Sequence, residues 1–199
     1  MPLDSRSAES MSLLAEKQRL FTVEEYHTMR DIGIFNEGCR VELVDGLILC
    51  KSPVGDAHVD GVNHFNRVFS RRIYASVEPS AIVSIQNPVY LNKYSEPKPD
   101  VVLIRPDRAG IPEPEDVLLL VEVAVTSLAF DREIRVPRYA AAGIPEVWVV
   151  ALEEDHVAVY RKPGPAGYAE EVQFGRGEAI TIEALPEAGS FAVEDMLRP

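Results

Sequence analysis

Two apolar runs decide what this chain can become. Pro99-Asp100-Val101-Val102-Leu103-Ile104 is followed by a proline-rich loop and then by Val117-Leu118-Leu119-Leu120-Val121-Glu122-Val123-Ala124-Val125. Both are long enough for a strand and neither alternates with polar residues, which predicts strands buried on both faces in the middle of a sheet. Each carries one carboxylate. Asp100 heads the first run and Glu122 sits inside the second, where a charge is costly unless a cation or a hydrogen-bond network compensates it. Two acids on neighbouring core strands point to a metal site.

The rest of the chain bounds that idea. With 199 residues and 46% hydrophobic content it is long enough for one domain with a full core. Residues 1–19 are polar, rich in Ser and Glu, and read as a mobile tail; residues 20–199 read as a single domain. No run approaches the ~18 apolar residues of a membrane span, and no basic-then-apolar leader is present. A cytoplasmic protein with no membrane partner is expected. Cys39 and Cys50 have no partners at metal-finger spacing, so buried thiols are expected rather than a disulfide framework or a zinc site. The net charge of −12 opposes general nucleic-acid coating. It still allows an enzyme that meets a phosphodiester through a bound metal ion, because the ion inverts the local electrostatics.

Local signals outline the elements. Thr22 and Glu25 form a capping-box pair that starts a helix running to about Asp31. Asp45-Gly46 between Arg40-Val44 and Leu47-Cys50 predicts a two-residue hairpin turn, with Glu42 on its first strand. Apolar residues from Val59 to Val77 recur every three or four positions, an amphipathic helix with Arg67, Arg71 and Arg72 on its other face. His58 and His64 lie six apart, the wrong spacing for two metal ligands on one helix face. Residues 81–91 read as a strand, with Pro88 marking a bulge or an edge position. The segment 126–143 reads as a helix closed by Gly143, with Pro137 forcing a kink or a regular start near Val136. Further strands are expected at 145–151, 155–161, 168–174 and 179–182. The whole is an α/β or α+β domain with a mixed central sheet.

If the hairpin, the Asp100 strand and the Glu122 strand are sheet neighbours, Glu42, Asp100 and Glu122 converge on one patch. Three carboxylates together repel unless a hard divalent cation binds among them, and Mg²⁺ or Mn²⁺ is the natural occupant. Such an ion can orient a water and make it more acidic for attack on phosphorus. That is the apparatus of a metal-dependent phosphodiesterase.

Glu42-Leu43-Val44-Asp45-Gly46, Ala57-His58, Pro99-Asp100-Val101-Val102, Val121-Glu122-Val123, Asp131 and the Tyr139-to-Trp148 run together resemble the Uma-two family, restriction endonucleases of the PD-(D/E)XK nuclease superfamily. The resemblance spans residues 20 to 197. It implies a restriction-endonuclease-like core, a mixed sheet flanked by helices, and Mg²⁺-dependent cleavage of DNA, with a homodimer as the assembly. Carried over by position, it makes Asp100 and Glu122 the metal-binding acids, assisted by the backbone carbonyl of Val123, with Glu42 as an additional acid. The superfamily lysine, usually two positions beyond the second acid, would fall on Ala124. In the Uma-two pattern it comes from the following helix, where this chain has Arg135.

Arginine keeps the positive charge and can stabilise a developing phosphorane oxyanion, but it does not surrender a proton to act as a base. Two readings of one fold therefore stand side by side: a metal-dependent endonuclease, and a catalytically impaired nuclease-fold protein that binds nucleic acid or a protein partner. A third is an unrelated α/β enzyme with structural acids.

Overall fold

The computed structural model describes residues 17–35, 40–51 and 55–197. Residues 1–16 of the expected tail, and Cys39, lie outside them. The chain divides into two compact units, one reaching to Lys51 with the addition of Lys93–Ser95, the other comprising 52–92 and 96–199.

The first unit holds helix α1 (Val23–Asp31) and the hairpin of β1 (Val41–Val44) and β2 (Leu47–Cys50). Thr22 and Glu25 make the expected capping box: the Thr22 hydroxyl accepts from the Glu25 backbone N–H, and the Glu25 carboxylate accepts from that of Thr22. At the hairpin turn Asp45 and Gly46 take φ of 51° and 76°, the positive pair that a two-residue turn between right-twisted strands demands. The buried Tyr26 donates its hydroxyl to the Val41 carbonyl at 3.0 Å, tying helix to hairpin. Cys50 is exposed and disulfide-bonded, which corrects the expectation of a buried thiol.

The second unit is built on a six-stranded sheet in the order β3-β4-β5-β6-β7-β8. Its strands are β3 (Ile82–Ile85), β4 (Val101–Ile104), β5 (Val117–Ala124), β6 (Glu146–Ala151), β7 (His156–Gly164) and β8 (Gly167–Gly175). Only β5 and β6 pair in parallel; the other neighbours are antiparallel. The expected mixed sheet is therefore present, and mostly antiparallel. A small pair, β9 (Ala179–Thr181) with β10 (Ser190–Ala192), and helix α4 (Val193–Met196) follow.

The lack of polar alternation in the core strands has a simple cause: both faces of the sheet are covered. Helix α2 (Asp56–Ile73) lays Val62, Phe65, Phe69 and Ile73 against Leu119, Val121, Val123, Trp148 and Val150. On the opposite face, Val136 and Tyr139 of helix α3 (Val136–Ala142) pack with Leu120, Ala124, Val147 and Val149. Each such side chain removed from water is worth roughly 1.5–3 kcal/mol, so the sheet's two faces carry the unit's stability.

Two local features set the site. The β5–β6 crossover begins with a one-turn helix (Leu128–Phe130), passes through a π-helical turn (Asp131–Arg135) and only then becomes regular α-helix. Pro137 explains the late start: it has no N–H to give and its ring clashes with the preceding turn of an α-helix, so the widened turn ends where the proline can occupy a first-turn position. The second feature is Gly61 of α2. A Cβ there would stand 2.9 Å from Cγ1 of Val123, so this helix approaches β5 as closely as it does only because the residue is glycine.

Candidate functional site

Register brings the two acids together. Val101, next in sequence to Asp100, pairs with Val121, next in sequence to Glu122, across β4 and β5. Both are buried, at 3% and 1% exposure.

Asp100 is held at the mouth of β4 by three elements. Its Oδ2 accepts from the Val123 backbone N–H at 2.9 Å. Its Oδ1 lies 3.1 Å from Nε2 of His58 and 3.4 Å from the side-chain nitrogen of Gln86, and its carbonyl accepts from the Gln86 N–H at 3.0 Å. Gln86 has φ of 52°, a left-handed conformation that ends β3 and turns its backbone N–H toward Asp100. His58, in the first turn of α2, also places Nδ1 2.9 Å from the Val123 carbonyl oxygen. A carbonyl only accepts, so Nδ1 carries the hydrogen and Nε2 is the nitrogen that faces Asp100.

Glu122 faces the other helix. Its Oε1 accepts from the Tyr139 hydroxyl at 2.6 Å and its Oε2 lies 2.8 Å from Nη1 of Arg135. Arg135, 6% exposed and in the π turn, also stands 3.6 Å from Oδ1 of the buried Asp131, whose Oδ2 accepts from the Ser127 hydroxyl at 2.7 Å. The Phe130 ring lies under the guanidinium, 5.5 Å from its carbon to the ring centroid. The π turn places Arg135 on Glu122 and Asp131.

Glu42 is 1% exposed on β1, with Lys51 Nζ at 3.6 Å from its Oε2. A solvated strand acid it is not. Among the described residues β1 and β2 form a two-stranded sheet of their own, so the expected sheet neighbourhood of Glu42 with the Asp100 strand is not found. Two residues of this arrangement were not singled out by sequence reasoning. His58 was set aside for its spacing from His64, yet its partners are a strand acid and a carbonyl 65 positions away, and the Ala57-His58 match was the signal available. Gln86 left none. Part of the basic face of α2 is also structural, since Arg72 donates to the Ala188 carbonyl and stacks on Phe191.

Among the described residues no three His, Cys, Asp or Glu side chains converge as a ready metal cage. The donor set nevertheless suits a hard cation. Two buried carboxylates, Glu122 and Asp131, hold the guanidinium of Arg135, while the buried Asp100 meets the imidazole of His58. Asp100 Oδ1 and His58 Nε2, 3.1 Å apart, also have the separation of adjacent ligands on one six-coordinate ion, about 3.0 Å for bonds of about 2.1 Å.

The fold is similar to the crystal structure of a putative nuclease belonging to DUF820 from Anabaena variabilis ATCC 29413, with a TM-score of 0.67 and 13% identity over 84% of this chain and 94% of that one. At that identity the likeness concerns the fold alone. No functionally curated protein matches the sequence. The model of the Uma2 family, described as "Putative restriction endonuclease", matches residues 23–194. With a match that runs over most of its length, the chain belongs to the Uma2 family.

Proposed function

We propose that this chain is a divalent-metal-dependent endonuclease that hydrolyses phosphodiester bonds of DNA, acting in the cytoplasm as a homodimer. The observation that carries the reading is the placing of two buried acids on paired strands, Asp100 just before β4 and Glu122 within β5. Mg²⁺ or Mn²⁺, when bound, supplies charge neutralisation for the phosphate and a water of lowered pKa. Asp100, whose Oδ2 accepts from the Val123 N–H, would hold the ion. Glu122, which accepts from Tyr139 and pairs with Arg135, would be the second acid to hold it. The Val123 carbonyl, third of the expected metal set, already accepts from His58, so only its second lone pair remains.

Arg135 occupies the place of the superfamily lysine, and its guanidinium stays charged. Buried between Glu122 and Asp131, it orients Glu122 and offsets its charge, and does not serve as a base. Glu42 is proposed as the additional acid, tested by Glu42→Gln.

Nicking of supercoiled plasmid in Mn²⁺ or Mg²⁺ tests the reading. Wild type is expected to nick slowly, Asp100→Asn to fall to background, and Arg135→Lys to nick faster by restoring a compact ammonium beside Glu122. One observation favours the second reading, a nuclease-fold protein that binds nucleic acid or a protein partner without cleaving it: Arg135 is committed to two carboxylates, leaving little of its charge for a substrate. Silence from both wild type and Arg135→Lys, with metal bound, decides for that reading.

A further inference from the structure

We infer that His58 is a direct ligand of the divalent ion through Nε2, and that the Val123 carbonyl acts at one remove, as the acceptor that fixes the imidazole. The inference rests on the metal-dependent reading of the Asp100 site and adds to it a nitrogen donor.

Three observations converge. First, Nδ1 of His58 lies 2.9 Å from the Val123 carbonyl, so that nitrogen is the N–H and the ring is locked with Nε2 pointing away from β5's backbone. A metal-ligating imidazole is commonly oriented this way, one nitrogen on the ion and the other donating to a backbone carbonyl. Second, Nε2 meets Asp100 Oδ1 at 3.1 Å, a gap that two ligands on one ion span without moving. Third, the ring is already in place. His58 sits in the first turn of an 18-residue helix that Gly61, three positions on, lets settle against Val123, and its side chain is 17% exposed, leaving a path for ion and water.

The chemistry has a consequence for metal choice. A site of carboxylate and water oxygens suits Mg²⁺, whereas an imidazole nitrogen favours Mn²⁺ and the later divalent metals. An imidazole added to the carboxylates of Asp100 and Glu122 would make a Mn²⁺-preferring centre.

Mn²⁺ electron paramagnetic resonance reads this directly, without turnover. Titration of the full chain with Mn²⁺ gives affinity from the free-ion signal, and electron spin-echo modulation reports a ligating ¹⁴N. Wild type is expected to bind Mn²⁺ more tightly than Mg²⁺ and to show imidazole ¹⁴N modulation. His58→Gln is expected to lose the modulation and to bind Mn²⁺ about 10- to 100-fold more weakly, with Mg²⁺ affinity changed less. His64→Gln serves as the control and should retain the modulation. Mn²⁺ bound in an Asp100-dependent way but without ¹⁴N modulation, or with modulation that survives in His58→Gln, overturns the inference and leaves the metal-dependent reading standing. No binding of either ion at millimolar concentration by folded wild type overturns both. Circular dichroism of each variant separates loss of ligand from loss of fold.

Discussion

At the scale of single residues, the site is two acids answered by different partners from opposite faces of the sheet. Asp100 meets His58, and Glu122 meets Arg135 and Tyr139. The second set is the one whose removal stability should register. Arg135→Met leaves Glu122 and Asp131 buried beside one another without their cation, and the expected cost is about 3–5 kcal/mol in urea unfolding. Tyr139→Phe removes one donor from Glu122 and should cost about 1–3 kcal/mol. Both residues act on the same carboxylate, so the double variant should cost less than the sum, a coupling that a double-mutant cycle measures. Additive costs would mean that the two do not share Glu122. This cluster was half legible. Glu122 announced itself as a charge inside an apolar strand, and Arg135 was locatable by counting back from Tyr139. His58 was marked by the Ala57-His58 match alone, because nothing local in a helix reveals that it will face a strand 65 positions downstream.

At the scale of elements, backbone chemistry that acts over three or four residues was readable and packing was not. The Thr22–Glu25 capping box, the Asp45-Gly46 turn and the left-handed cap at Gly143, with φ of 85°, are each written in a few adjacent residues. So are β4, β5 and β6, whose unbroken apolar character declares burial on both faces. The three-residue β10 carries too little pattern to be seen, and the π turn is invisible to a period of 3.6. Pro137 signals an interruption without saying what fills it. The close seating of α2 on β5 is likewise a packing fact, and it yields a prediction. Gly61→Ala should press on Cγ1 of Val123, lower stability by about 1–3 kcal/mol and weaken Mn²⁺ binding by displacing His58. Val123→Ala introduced alongside it should restore Mn²⁺ affinity, as calorimetry would show. If Gly61→Ala leaves affinity intact, α2 does not set the position of His58.

At the scale of the whole molecule, the excess of acid is the property a DNA-directed reading must meet. A chain of net charge −12 gains little from phosphate contacts alone, so a bound divalent ion is where its encounter with a phosphodiester has to be centred. Among the described residues no helix is long and apolar enough to cross a membrane. The six-stranded sheet has one further consequence, for the order in which the site is assembled. Each strand from β3 to β8 lies beside its predecessor, and most of these pairs are antiparallel neighbours that close over short stretches of chain. The exception is the crossover between β5 and β6, whose long loop costs more entropy to close. Asp100 and Glu122 therefore meet early, on a local β4–β5 pair, while Arg135 and Tyr139 arrive late, with the crossover. Folding rates should show it: Val101→Ala and Val121→Ala are expected to give φ-values well above that of Tyr139→Phe. The acids of this site come together before the cation that tempers them, and the last contacts made in folding are those that set the charge of the finished centre.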